Sequence, residues 1–569
     1  MFLSDIPKVN ALIAAHADSI SNDALIKLVR QLEFWHAEGS VSETDLIDMT
    51  QRLIHTASMT STSSSFVVPT MRFGKTEIQM PIVTCGGMRL QRTWMPDTVP
   101  IAPNRARVLA SDCQANLKAS IQLCLKVGIN HFETARMYGS SEYQFAQALY
   151  ELIQSGEIRR EDFFLQTKVP PRATRKEFDT NFALSWETFA DKLGYIDLFS
   201  FHCVSTKEQV EWLLSDADDM CMATIKQYQK EGKIKHIGFS THGTAENIMQ
   251  LINSEKFSYV NIHCHFFGDY HAEGTPDTLG SHGNKAAVKR ALELDMGVFN
   301  ISPIDKGGML YAPSKPVARL VGPHMSPITF AALDAWKSSG IHTISVGFAR
   351  PSDLDEILAA AELFAKGDYE ADLKAANERF TKHAEETLGI EWMSKGMINL
   401  PDCEQEATDG TAIGHIMWCH NLMLTYGMYE FCRARYSNLE ATKWNDKKTF
   451  EQNRVTIPSG NIGRAYVAKI DYTMALQNHY ASDMVKHKMV ETHEWLGTSS
   501  KSLTDGQRKE RGWDVAYDLR VWECFPGNSP TVAGVVLNSL TGGWLGCGGS
   551  GPTQESKDLA AAIRKALVA

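Results

Sequence analysis

The stretch Asn130-His131-Phe132-Glu133-Thr134-Ala135-Arg136-Met137-Tyr138-Gly139-Ser140-Ser141-Glu142 decides how this chain is read. A short apolar run ends in a carboxylate, a tyrosine follows at position 138, and a helical pattern opens directly after it. Strand, polar tip and helix in that order make one βα unit with chemistry at the carboxyl end of its strand. Outward from it the same alternation runs from Phe66 to about residue 363. Candidate strands are Ile82 to Cys85, Asn130 to Glu133, Phe163 to Lys168, Ile196 to Phe201, Lys235 to Phe239, Tyr259 to His263, Gly297 to Ile301 and Thr343 to Val346, each followed by a helical pattern. Eight such units in about 280 residues predict an α/β fold of the closed (β/α)8 (TIM) barrel type. An open doubly wound sheet is the rival, but no G-x-G-x-x-G follows the first strand.

The flanks read differently. In residues 1–56, Ala24, Leu25, Leu28, Val29, Leu32 and Trp35 recur at helical spacing, and Ser42-Glu43-Thr44 opens a second segment carrying Leu46, Ile47, Met49 and Leu53. A small helical pair is expected there. The polar run Thr60 to Ser65 breaks the pattern, so residues 57–69 read as a linker into a barrel of residues 70–365. Residues 366–569 lose the alternation and read as a mostly helical domain, with a helix over 369–388 and amphipathic segments from Ile413 to Tyr436. The Gly-rich end, residues 542–549, lacks the Gly-Lys-Ser/Thr of a phosphate loop and reads as a tail.

Composition narrows the classes. With 569 residues, 43% of them hydrophobic and 22% charged, the chain has material for large cores. Its formal charge of -10 argues against a general affinity for nucleic acid. Lys226, Lys230, Lys233 and Lys235 lie toward the end of a predicted helix, where cations complement the helix dipole. No secretory signal and no run of about 18 apolar residues is seen, so no membrane partner and a cytoplasmic location are expected. The eleven cysteines are scattered without a C-x-x-C pair, which predicts reduced thiols and no metal site.

If the barrel forms, Glu133 and Tyr138 follow its second strand, Lys168 ends the third and His202 the fourth, so all four converge on one pocket. Tyrosine is a weak acid, with a pKa of about 10, but a neighbouring ammonium favours the phenolate. A carboxylate beside the lysine would hold it charged, and the histidine could orient a carbonyl. Such a site suits carbonyl reduction, with hydride from a reduced nicotinamide and a proton from Tyr138.

The order Glu133/Tyr138, Lys168, His202 resembles the tetrad of the aldo-keto reductase family. Phe73-Gly74-Lys75-Thr76, Cys85-Gly86-Gly87-Met88-Arg89, Gly232 to Ser240 and Ser302-Pro303 are similar as well, so the likeness spans about residues 70–365. The family usually carries aspartate where Glu133 stands. The resemblance implies that Tyr138 is the general acid, that Lys168 and Glu133 tune it, and that His202 positions a small-molecule carbonyl substrate. It implies cofactor contacts from Ser240, Thr241, Asn261, Ser302, Gly347, Arg350 and Asp353. Asn261 stands in the place of a family glutamine, Thr241 where many members have asparagine, and Ile301 where an aromatic ring commonly stacks. Arg350 could pair with a 2′-phosphate, so NADP(H) is preferred over NAD(H).

One branch of the family adds a ferredoxin-like module after the barrel, and His420-Asn421-Leu422 and Met428 to Phe431 resemble it. Its cluster-binding cysteine spacing is absent, so no iron–sulfur cluster is expected. Two other readings stay open. The barrel could bind nucleotide as a regulatory or redox-sensing protein with little turnover, or it could be a metal-dependent hydrolase using His202, His242, His263 and His265. Substrate choice would lie in variable loops, of which Phe267 to Asn284 is the foremost.

Overall fold

Side chains alternate across a strand, and in this chain the inward-facing set makes a barrel interior that is polar as well as apolar. The computed structural model describes residues 6–60, 65–89, 111–268, 284–347, 350–403, 405–442, 444–454, 463–498, 503–520 and 554–568. Strands β1 (Thr70–Arg72) and β2 (Gln79–Pro81) form an antiparallel hairpin. The next eight are β3 (Val83–Gly86), β4 (His131–Glu133), β5 (Phe164–Val169), β6 (Ile196–Phe201), β7 (Ile234–Ser240), β8 (Tyr259–Ile262), β9 (Gly297–Ile301) and β10 (Thr343–Gly347). They close a parallel barrel in the order β10-β3-β4-β5-β6-β7-β8-β9, the (β/α)8 architecture expected from the alternation.

The hairpin shuts the amino-terminal end of this barrel. Phe73, between β1 and β2, packs its ring against Tyr259 at 5.8 Å and His342 at 5.7 Å between centroids. With Met80, Leu198, Tyr259, Phe299 and Ile301 it forms an apolar cluster separate from the main core. Space there is tight enough to dictate a glycine: a Cβ on Gly238 would lie 2.5 Å from the Tyr259 ring. Several polar inward residues bond to one another. Thr84 Oγ1 lies 2.8 Å from both His131 Nδ1 and Thr343 Oγ1, Gln166 donates to Ser200 Oγ (3.2 Å), and Ser200 donates to the Tyr259 hydroxyl (2.9 Å). Burial, aided by the Lys168 charge, pushes His131 down to about 3, so this imidazole is neutral.

Three helices precede the hairpin, α1 (Pro7–His16), α2 (Asn22–Glu38) and α3 (Glu43–Ser58). The sequence pattern pointed to the last two. Ser21 caps α2 by accepting from Ala24 N–H, and Ser42 with Asp45 forms a capping box on α3. The first was missed because only Val9 and Ile13 are buried along it and no side chain caps its start. α2 lies against the end of the barrel after β10, where Lys27 Nζ donates to Ser352 O (2.7 Å) and Gln31 donates to Glu356 (3.1 Å).

After the barrel, helices Glu370–Leu388, Ile413–Tyr426, Tyr429–Glu440 and Ser482–Leu496 pack together, and Gln554–Val568 returns to α1 and α2. Residues 513–520 run beside the segment that follows β9. Lys315 N–H donates to Asp514 O (3.0 Å), Ala516 N–H to Pro313 O (2.8 Å) and Leu519 N–H to Tyr311 O (2.9 Å). Residues 61–64 of the expected linker and the Gly-rich end at 542–549 lie outside the described residues. No helix among the described residues is long and apolar enough to cross a membrane.

Candidate active site at the barrel mouth

The stretch after β4 is held from below before it presents anything. Thr134 N–H donates to Gln166 O and Arg136 N–H to Lys168 O, both at 2.8 Å, which pins the chain to β5. Arg136 then turns inward to Glu142 (3.0 Å), and Glu142 also accepts from Thr167 (2.6 Å) and Ser185 (3.1 Å). A buried carboxylate with three donors, one of them cationic, is stable where a bare one would not be. Thr134 Oγ1 donates to Ser141 Oγ, which donates to Gly87 O (2.8 and 2.7 Å). Between these anchors Tyr138 N–H donates to Ala135 O (3.0 Å), and its side chain is delivered to the mouth, 8% exposed.

Four side chains expected to converge do so. Lys168 and Glu133 form a buried ion pair, 1% and 2% exposed. The Tyr138 hydroxyl lies 3.5 Å from Glu133 Oε1, and Lys168 Nζ lies 4.7 Å from the Tyr138 ring centroid. His202 stands edge-on to Tyr138 with centroids 5.6 Å apart. Burial first, then the charges of Lys168 and Lys306, hold His202 well below the usual histidine range, so it is neutral at physiological pH. Burial and Lys306 also depress Lys168. The Glu133 carboxylate beside it opposes that shift and favours the charged ammonium.

A pocket opens beside them, lined in part by Glu133, Tyr138, Ser302, Asp305, Ser345 and Gly347. Ser345 and Asp305 escaped the sequence reading. Ser345 donates to Glu133 Oε2 (3.4 Å), and its inward direction follows from the two-residue alternation of β10 with Thr343. Asp305 had no such signal, because it lies in irregular backbone after β9. Ser302 takes φ 51°, turning the chain there away from the strand.

The remaining cofactor candidates divide. Both amide atoms of Asn261 are buried without a hydrogen-bond partner among the described residues, in a residue at 0% exposure. Ser240 Oγ accepts from Cys203 N–H (2.9 Å) and keeps its own proton to give. Thr241 is engaged internally, donating to Val204 O in the segment after β6 (2.7 Å) and accepting from Gly243 N–H (3.0 Å). Arg350 and Asp353 are buried against each other at 3.1 Å. A 2′-phosphate would therefore have to compete with Asp353 for this guanidinium.

The four histidines weighed as ligands do not stand apart as a set. His263 Nε2 lies 2.7 Å from His242 Nδ1, and His263 Nδ1 lies 3.1 Å from His265 Nε2 and 3.2 Å from Ile301 O. These contacts link three of the four imidazoles, His202 standing instead against Tyr138, and no group of three or more His, Cys, Asp or Glu among the described residues is arranged to hold a metal ion. Cys85, Cys113, Cys124, Cys221, Cys264, Cys403, Cys419 and Cys432 are buried and form no disulfide among the described residues. Most of the loop from Phe267 to Asn284 lies outside the described residues.

A closed parallel barrel with ionisable side chains gathered at the carboxyl ends of its strands is the architecture of a (β/α)8 protein. Residues 84–314 match the family model described as Aldo/keto reductase family. Aldo-keto reductase family 1 member C13 of Mus musculus is 26% identical over 191 residues, which is 31% of this chain and 54% of that protein. Family 1 member C2 of Homo sapiens is 26% identical over 160 residues, 26% of this chain and 49% of that protein. The chain thus spans about half the length of the curated relatives it matches. Among solved structures, an aldo-keto reductase of Bombyx mori in complex with NADP aligns with a TM-score of 0.37 at 18% identity, over 55% of this chain and 93% of that one.

Proposed function

We propose that this protein is an NAD(P)H-dependent oxidoreductase that reduces aldehyde or ketone carbonyls to alcohols. The observation that carries the reading is the convergence of Tyr138, the Lys168–Glu133 pair and neutral His202 beside one pocket. A nicotinamide cofactor fits the unpartnered Asn261 amide, whose donor and acceptor complement a carboxamide, together with the free proton of Ser240 Oγ. When bound, the reduced nicotinamide supplies hydride.

The chain's own groups do the rest. Neutral His202 orients the carbonyl oxygen, and Tyr138 gives that oxygen its hydroxyl proton. The Lys168 charge, 4.7 Å from the ring centroid, steadies the negative charge left on the phenol oxygen. Glu133 holds Lys168 in place and balances its charge within an enclosed pair. Arg350 supports NADP(H) over NAD(H) if its guanidinium leaves Asp353 for the phosphate.

The test is purified protein mixed with NADPH and a panel of aldehydes, followed by nicotinamide absorbance. Turnover is expected, with Tyr138→Phe slower by about 10²–10⁴-fold. Turnover that survives this substitution would remove the assigned acid. NADPH binding without turnover would instead favour the regulatory barrel, a reading consistent with the internal engagement of Thr241 and Arg350.

A further inference from the structure

The mouth pocket holds a carboxylate to which the carbonyl chemistry assigns no role. Asp305, 9% exposed, lines the pocket together with Glu133 and Tyr138. Its Oδ1 accepts from the Tyr311 hydroxyl at 3.4 Å, whereas its Oδ2 is buried with no hydrogen-bond partner among the described residues. An ionised carboxylate offers only acceptors, and a buried acceptor without a donor is destabilising. The group that relieves it must therefore bring an O–H or N–H into the pocket.

The protein keeps this carboxylate in place at long range. Tyr311 N–H is not the anchor; its carbonyl is, accepting from Leu519 N–H (2.9 Å) in residues 513–520. That segment bridges Val515 to Ser314, and Ser314 Oγ donates to Tyr426 O (2.5 Å). From the opposite side Arg30 of α2 donates to Asp518 O (2.6 Å) and Arg520 O (2.9 Å). Helices before and after the barrel thus both restrain the backbone that carries Asp305.

We infer that Asp305 is a ligand-binding carboxylate that accepts a hydroxyl donor, and that Tyr311 is its positioning residue. The hydroxyl belongs either to the ribose of a nicotinamide nucleotide or to a hydroxylated carbonyl substrate. The substrate source rests on the reductase reading above, whereas hydroxyl recognition itself does not.

Calorimetric titration of the full chain with NADPH, glyceraldehyde and propanal separates the possibilities. Asp305→Ala is expected to weaken one hydroxyl-bearing ligand by about tenfold to a hundredfold, Asp305→Asn and Tyr311→Phe by less. Loss confined to NADPH assigns the hydroxyl to the nucleotide. Loss of glyceraldehyde relative to propanal assigns it to the substrate. If Asp305→Ala does not fold, the other two variants carry the comparison. Unchanged affinities for all three probes overturn the inference. Wild-type turnover with such unchanged affinities overturns it alone, whereas hydroxyl binding lost in the variants of a protein without turnover overturns only the reductase reading. A wild-type chain that binds none of the probes overturns both.

Discussion

Glu133 and Lys168, on neighbouring barrel strands, meet in an ion pair that is almost wholly enclosed, beneath the ring of Tyr138. The carboxylate reaches the lysine directly, although the aldo-keto reductases that this stretch resembles usually carry aspartate at this position. Glu133→Asp withdraws the carboxylate by about 1.5 Å. With the backbone of β4 fixed by its pairing to Gln166, a fall in turnover of about a hundredfold is expected. Steady-state kinetics of Glu133→Asp check this, and unimpaired turnover would show that the strand relaxes. Glu133→Ala leaves Lys168 enclosed and unpaired, which should cost about 3–5 kcal/mol in urea unfolding.

The Arg136–Glu142 pair acts on the same loop by another route. Glu142→Ala removes the acceptor shared by Arg136, Thr167 and Ser185, and a loss of about 3–5 kcal/mol is expected. Because Tyr138 hangs between these residues, turnover should fall as well. A stable variant with unchanged kinetics would mean that the tyrosine is held elsewhere.

Acid should unfold this protein earlier than its carboxylates alone require. His131 and His265 are pushed down to about 3, and His202 and His242 are held well below the normal range, in each case first by burial. Above the unfolded value of about 6.5 neither state binds these protons, and stability is indifferent to them. Below it only the unfolded chain does, so each histidine removes up to about 1.4 kcal/mol per pH unit until its own folded value is reached. For His131 and His265 that loss continues down to about pH 3. Denaturant midpoints at pH 7.5, 6.5 and 5.5 measure it, and a flat profile would contradict buried neutral imidazoles.

Gly238 is expected to resist even alanine. The added methyl would sit 2.5 Å from the Tyr259 ring, an overpacking that costs about 1–3 kcal/mol or more. Combining Gly238→Ala with Tyr259→Leu should cost less than the sum of the two single changes, because both act on one contact. Strict additivity in thermal unfolding would place the strain elsewhere.

The barrel was legible because its strands are apolar runs fixed by burial, and their limits emerge within a residue of the pattern. The tetrad was legible for a related reason: strand ends fix direction, so Glu133, Lys168 and His202 needed only the correct fold to meet. What the chain conceals is partner choice. Nothing in the neighbouring residues reveals that Thr241 is tied to Val204 O or that Arg350 is tied to Asp353. Asp305 is the extreme case, because its position depends on residues 513–520, far along the chain, crossing the segment after β9. α1 stayed hidden because a helix with two buried residues carries too little periodicity to be seen.

The return of helix Gln554–Val568 to the first helices bears on how the protein is made. Arg564 donates to Ala17 O and Ile20 O (2.9 and 3.1 Å), and its bond to Asn22 spans 542 positions. At ordinary synthesis rates that gap corresponds to about half a minute to two minutes. For that interval the nascent α1–α2 surface has been translated while the helix that covers it has not. The packing of Gln554–Val568 onto α1 and α2 can therefore form only long after those two helices have been made, so it is a late event set by topology rather than by stability.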